Sequence, residues 1–205
     1  MRLLIATTNQ GKLPEIREIL AASPLEVICL KDALSLGLLD SIPAVVEDGG
    51  TFEANALKKA TEIARASGVT TLADDSGLEI DFLGGRPGVD SAYFMGADTP
   101  YAVRNAHIIE MMRGAEGDAR SARFVCVIAV AFADGRTYTG RGECGGRIAH
   151  KPMGEGGFGY DPIFYVPRLG KTFGQLSSHE KNAVSHRAAA LRNIKELLLQ
   201  KGIYL

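Results

Sequence analysis

The sequence predicts an α/β fold, a mixed β-sheet flanked by helices. Three observations carry this. Short apolar runs alternate with segments whose apolar residues recur at helical spacing. The Asp134-Gly135 turn joins two strand-like runs, which requires at least one antiparallel pair in the sheet. The chain is 46% hydrophobic and 23% charged over 205 residues, the balance of a globular protein able to bury its own core. A single domain over residues 1–205 is expected, with no repeat or low-complexity linker.

In order, Arg2 to Thr7 is an apolar run that reads as a buried strand. Leu13, Ile16, Ile19 and Leu20 then follow helical spacing, with Pro14 tolerable in a first turn. Leu25 to Leu30 reads as a second strand, so the chain opens as β-α-β. Thr51 caps a helix that places Phe52, Ala56, Ala60, Ile63 and Ala64 on one face and stops at Gly68. Val69 to Ala73 is a strand, followed by a turn at Asp74-Asp75-Ser76-Gly77. Leu78, Ile80 and Phe82 alternate like a half-buried strand. Thr99-Pro100 opens a helix running to about Met112. Ala122 to Ala133 is a long strand, and Thr137 to Glu143 returns from the hairpin. A glycine- and proline-rich loop covers Gly154 to Pro162. The last helix carries Val184, Leu191, Ile194 and Leu198 on one stripe and ends at Gly202.

Charge and composition narrow the function. The net charge is −1, so no bulk basic field exists to hold a long nucleic acid or an anionic membrane. The longest uncharged apolar run, Phe124 to Ala133, falls short of the ~18 residues of a membrane helix. The opening residues turn polar by Thr7, too early for a signal-peptide core. Cys29, Cys126 and Cys144 show no metal-ligand spacing and read as reduced thiols of a cytoplasmic protein. The charge is uneven. Asp40 to Asp90 holds ten acidic and four basic residues, whereas Arg168 to Leu205 holds seven basic and two acidic. Either these are solvated faces of opposite sign, or they are cation-binding and anion-binding walls of one cleft.

Four stretches can carry chemistry. Thr7-Thr8-Asn9-Gln10-Gly11-Lys12 lies at a strand-to-helix turn, where open N–H groups, the helix dipole and a lysine suit a phosphate. It is not a Walker A loop, because the early glycine is missing and Leu13 follows the lysine. An ordinary βα turn is the other reading. Asp74 and Asp75 follow an apolar strand, and one carboxylate there can bind Mg²⁺ or accept a proton from water, with Glu47 as a second oxygen ligand. Solvated acids in a capped turn are the alternative. The triplet Asp75-Ser76-Gly77 also spells an aspartic-protease motif, but that chemistry needs two copies. Gly154 to Gly159 contains a formal GxGxxG without the strand and helix of a dinucleotide site. The loop instead presents Phe158, Tyr160 and Asp161, suited to stack on and bond a base, or serves as a plain structural loop. Finally, Lys181, His186 and Arg187 are donors to phosphate or base, or a surface cluster.

In this order the motifs resemble one family, the inosine/xanthosine triphosphate pyrophosphatases, which hydrolyse non-standard purine nucleoside triphosphates. The resemblance rests on Thr7 to Lys12, Thr51-Phe52-Glu53-Ala54-Asn55-Ala56, Ala73 to Leu78, Gly84-Gly85-Arg86-Pro87-Gly88, Gly156 to Phe164, and Lys181 to Arg187. It implies an elongated mixed sheet with two lobes around a central nucleotide cleft. It also implies a homodimer, Mg²⁺ dependence, and cleavage of ITP, dITP and XTP to monophosphate and pyrophosphate. By position, Thr7, Thr8, Asn9, Gln10, Gly11 and Lys12 hold the nucleotide, with Asn9 and Lys12 on its phosphates. Glu47 and Asp75 bind Mg²⁺, and Asp75 activates the attacking water. Lys58 assists at the phosphates and Ser76 touches substrate. Phe158, Gly159, Tyr160 and Asp161 take the base side, and Lys181, His186 and Arg187 complete the contacts. Glu47-Asp48-Gly49-Gly50 carries one acid and one glycine beyond the family pattern. Another modified nucleotide as substrate, or a nucleotide-binding regulator without turnover, are the alternatives.

Overall fold

The computed structural model describes residues 2–21 and 23–204. Seven strands form one mixed sheet in the order β2-β1-β3-β4-β5-β6-β7. They are β1 (Arg2–Ile5), β2 (Glu26–Cys29), β3 (Thr71–Ile80), β4 (Ser121–Ala131), β5 (Thr137–Ile148), β6 (Phe164–Val166) and β7 (Lys171–Thr172). β1 pairs in parallel with β2 and β3, while β5, β6 and β7 pair antiparallel. The helices are α1 (Lys12–Leu20), α2 (Leu30–Ser35), α3 (Phe52–Ser67), α4 (Tyr101–Met111), α5 (Ser178–Val184) and α6 (His186–Gln200). The α/β class and mixed sheet read from the sequence are therefore present.

The chain divides into two compact units. Unit 1 comprises Met1–Asp75, Cys126–Gly142 and Arg187–Leu205, and unit 2 comprises Ser76–Val125 and Glu143–His186. In unit 1, Leu3, Ile5, Leu72, Cys126, Ile128 and Val130 share a buried cluster with Ile16 of α1 and Ala190, Leu191, Ile194 and Leu198 of α6. Leu4 alternates to the other face and is equally buried, so both faces of β1 are covered. Thr51 caps α3 by accepting a bond from the Ala54 N–H (3.1 Å), and Gly68 ends it at φ 68°. In unit 2, Phe124 packs on Phe164 and Phe173 at ring separations of 4.6 and 5.7 Å.

Four expectations of local structure need correction. Asp74 to Gly77 is not a turn: β3 runs unbroken from Thr71 to Ile80 between β1 and β4. The turn-forming residues stay extended as part of the sheet's central strand, which β1 pairs at Thr71 and Leu72. Beyond Ile80 the strand stops, and Phe82 lies half-exposed in a 3₁₀ turn over Asp81–Leu83. Leu30 begins a helix that the sequence reading did not anticipate, α2, rather than ending a strand. The last helix is two helices broken at Ser185, whose ψ of 156° is extended. Val184 packs on the core of unit 2, whereas Leu191 and Ile194 pack in unit 1. Its seven-residue spacing from Leu191 satisfies a helical period without a shared helix.

Candidate active site

In unit 1, the turn between β1 and α1 is held by its own side chains. Thr7 Oγ1 accepts from the Asn9 N–H (3.1 Å), and Asn9 Oδ1 accepts from the Gly11 N–H (2.9 Å). Thr8, Asn9 and Gln10 are exposed, while Thr7, Gly11 and Lys12 are half-buried. Lys12 Nζ lies 3.0 Å from Asp74 Oδ2, so the turn brings an ammonium to the acids of β3.

The neighbouring acids of β3 have opposite surroundings. Asp74 is fully buried and faces three cations. Burial alone would raise its carboxyl, but the charges of Lys12, Arg187 and Lys59 outweigh burial and hold it well below the usual carboxylate range. For Asp75, burial is the largest influence and pushes the carboxyl up. Lys59 and Lys12 only partly counter this, and Glu47 adds to the rise. Two adjacent carboxyls driven apart in this way are suited to different tasks: a fixed anion at Asp74 and a proton acceptor at Asp75.

Between the acids sits Lys59, which the sequence reading did not single out. Its Nζ lies 2.6 Å from Glu47 Oε1, 2.7 Å from the Asp74 carbonyl oxygen and 3.6 Å from Asp75 Oδ1. Burial favours losing its proton, but Asp75, Asp74 and Glu47 together raise its pKa. Lys58, the expected phosphate lysine, instead pairs with Asp48 at 2.6 Å, and the Asp48 side chain is 66% exposed. One residue along a helix is a turn of ~100°, which separates the two lysines. The local sequence carries no signal that separates them, since Lys58 and Lys59 lie three and four residues after Asn55; the fold turns this face to Asp75, to whose Oδ2 Asn55 Nδ2 donates at 3.1 Å.

Arg187 departs from the expectation of a base contact. It is 1% exposed, and its guanidinium is held by Glu15 and by Asp74, the latter at 3.2 Å. Its place is to anchor α6 and balance two buried carboxylates.

Unit 2 holds the aromatic loop. Asp161 Oδ2 accepts from the Phe158 N–H (2.7 Å) and from Lys181 Nζ (2.6 Å). A side chain at Gly157, which has φ 71°, would come within 2.0 Å of that same oxygen, so the loop closes only around glycine. Lys181 Nζ lies 4.6 Å from the centre of the Phe158 ring, which is half-buried. Tyr160 departs from the expectation of a base-stacking group. Its ring is buried edge-on against Tyr101 at 5.1 Å, and its hydroxyl donates to the Ser91 carbonyl at 2.7 Å. Gly159, half-buried, accepts at its carbonyl from Asn105 Nδ2 (3.2 Å). His186 is buried and stacked on Phe124 at 4.6 Å. Ser76 follows Asp75 on β3 and is half-buried.

Beside these two acids, whose carboxyls are shifted in opposite directions, stand two lysines, and the comparisons with known proteins identify the family. The model of the Ham1 family matches residues 3–197. The chain belongs to the Ham1 family. The dITP/XTP pyrophosphatase of Desulforamulus reducens is 45% identical over 198 residues, covering 97% of this chain and 96% of the relative. That of Geobacter sulfurreducens is 44% identical over 202 residues, covering 98% of each. Among solved structures, a HAM1 protein from Coxiella burnetii superposes with a TM-score of 0.84 at 37% identity, covering 98% of this chain and 99% of its own. The Staphylococcus aureus Ham1 protein gives 0.83 at 36% identity, covering 98% and 100%.

In this Ham1 chain the donors around the Lys59 ammonium are all hard oxygens: the Glu47 and Asp75 carboxylates and the Asp74 carbonyl. That set fits Mg²⁺ in kind. Among the described residues no three His, Cys, Asp or Glu side chains gather into a metal cage. Among the described residues, no helix is long and apolar enough to cross a membrane.

Proposed function

We propose that this chain hydrolyses the non-standard purine nucleoside triphosphates ITP, dITP and XTP to the nucleoside monophosphate and pyrophosphate, removing deaminated purines from the nucleotide pool. The observation that carries the mechanism is the pair Asp74–Asp75. Asp75, raised by burial, accepts the proton of the attacking water. Asp74, held ionised, stays a fixed anion that keeps Lys12 in position. Lys12 and Lys59 neutralise charge that grows on the phosphates as the bond to the leaving group breaks. The Thr7 to Gly11 turn, held by its own side chains, sets the positive end of α1 towards the phosphates. Glu47 and Asp75 would hold Mg²⁺, which polarises phosphoryl oxygens when bound.

Phe158 stacks on the base, with Lys181 and Asp161 fixing its ring. His186 and the backbone of the 158–161 loop offer donors to the 6-keto group of hypoxanthine or xanthine. Adenine presents an amino donor at that edge, and a donor left unpaired in a buried site costs ~1–3 kcal/mol. The 2-amino group of guanine meets no acceptor in this reading. The chain acts as a homodimer, as the family resemblance implies, in the cytoplasm, in keeping with its few, unpatterned cysteines.

The test is a panel of ITP, XTP, GTP and ATP with Mg²⁺, scored for pyrophosphate against orthophosphate. The expected outcome is pyrophosphate from ITP and XTP, with kcat/KM for GTP and ATP lower by at least about 100-fold. Equal turnover of ITP and GTP would reduce the reading to a general triphosphate pyrophosphatase.

A further inference from the structure

Asn55 lies on α3, within the Thr51 to Ala56 motif, and no role follows for it from the proposed reaction. It is 2% exposed, and both ends of its amide are engaged. Nδ2 donates to Asp75 Oδ2 at 3.1 Å, and Oδ1 accepts from the Gly49 N–H at 2.8 Å. One side chain therefore joins two pieces of chain that are far apart in sequence. One is the central strand that carries Asp75. The other is the irregular segment after α2, two residues beyond Glu47.

The packing around this link is close. A side chain at Gly49 would approach the Ala54 Cβ at 2.6 Å and Asn55 Oδ1 at 2.9 Å, so the segment passes directly against α3 at that point. Four residues along the same helix, Lys59 binds Glu47 and the Asp74 carbonyl. Asn55 and Lys59 thus present one face of α3 to both acids, the first as a neutral tether and the second as a charge.

The chemistry of an amide suits the position. A carboxylate has two oxygens, and a rotation about the side chain of Asp75 would exchange them. With Nδ2 on Oδ2, the oxygen turned towards Lys59 is Oδ1. An aspartate at position 55 would still accept from Gly49 but would face Asp75 with a second anion. An apolar residue would release both contacts.

We infer that Asn55 is a positioning residue: it fixes which oxygen of Asp75 is turned to Lys59 and ties the Glu47 segment to the strand that carries Asp75, so that the two carboxylates that would bind Mg²⁺ are held together. The inference rests on the proposed pyrophosphatase reading. Partners that orient metal-binding carboxylates typically account for ~10- to 100-fold in metal affinity or activity.

The test compares wild type, Asn55→Leu and Asn55→Asp by thermal unfolding, by calorimetric titration of the nucleotide-free protein with Mg²⁺, and by kcat and KM on ITP. Asn55→Leu is expected to bind Mg²⁺ about 10- to 100-fold more weakly, and both variants to lose kcat by a similar factor while KM moves less than about threefold. If Asn55→Leu does not fold, Asn55→Asp, which keeps shape and the Gly49 contact, decides alone through its kcat and KM. A folded variant with wild-type Mg²⁺ affinity and kcat would overturn the inference. So would a loss of activity that only follows the unfolded fraction. Failure of wild type to release pyrophosphate from ITP would count against the proposed reaction instead, and the Mg²⁺ titration would still decide the role of Asn55.

Discussion

Arg187 Nη2 lies 3.2 Å from Asp74 Oδ2 in a place where both side chains are inaccessible to solvent. The same guanidinium holds Glu15 of α1, so one cation on α6 ties a helix and the central strand together. Lys12 shares that oxygen of Asp74 at 3.0 Å and completes the balance.

Removing the cation strands two buried carboxylates. Arg187→Met is expected to lower the unfolding free energy by about 3–5 kcal/mol, the usual cost of breaking a buried pair by deleting one partner. Chemical denaturation measures it. A loss below about 1 kcal/mol would show that Glu15 and Asp74 find other partners or water.

Asp75→Asn is expected to keep the fold and reduce kcat by ~10²–10⁴-fold, the contribution of a positioned base. Its stability has a definite sign. Asp75 is raised in the folded state, so ionising it costs stability once the pH rises through its folded pKa. The metal-free variant is therefore expected to be at least as stable as wild type at neutral pH. The difference shrinks in acid, where Asp75 is protonated. Asp74 has the opposite sign: its lowered carboxyl contributes stability above its unfolded value that fades only in strong acid. Thermal melts of both proteins across pH check this. A variant less stable than wild type at neutral pH would contradict the raised value.

How much of this was legible in the sequence depends on the range of the interactions involved. The strands of β1 and β4, the capped α3 and the hairpin rest on local patterns, and all were readable. The Asp-Asp-Ser-Gly stretch was not, because its local turn preference is overridden by its place within a central strand of the sheet. Tyr160 sits in a glycine loop, where an aromatic reads as a ligand contact. Only the fold shows that its hydroxyl reaches the Ser91 carbonyl, 69 positions away. Arg187 looked like a surface donor because its partners, Glu15 and Asp74, lie more than a hundred residues earlier. Lys58 and Lys59 differ by one step of a helix, three and four residues after Asn55, and only the fold chooses between them.

That choice is testable. Lys59→Ala leaves Glu47 and Asp75 without their shared cation and is expected to lower kcat/KM by about 10- to 100-fold, the range of a charge-assisted contact. Lys58→Ala removes an exposed pair and is expected to change kcat/KM by less than about threefold, since such pairs contribute little. The reverse ranking would restore Lys58 to the phosphates.

The thiols give an independent check of packing. Burial pushes the Cys126 thiol up to about 12, with Asp74 adding to the rise, and Cys144 is raised by burial too. Cys29 is half-buried at the start of α2. In native protein an aromatic disulfide reagent at neutral pH is expected to modify one thiol, Cys29, with the other two reacting only on unfolding. Rapid reaction of all three would contradict the burial described.

The central claim is that water, deprotonated at Asp75, attacks the α-phosphorus of a non-standard purine triphosphate. Hydrolysis of ITP with Mg²⁺ in ¹⁸O-labelled water, followed by mass spectrometry of the products, tests it most directly. The account predicts IMP and pyrophosphate, with the label in IMP. Label in pyrophosphate, or orthophosphate as the first product, would contradict it.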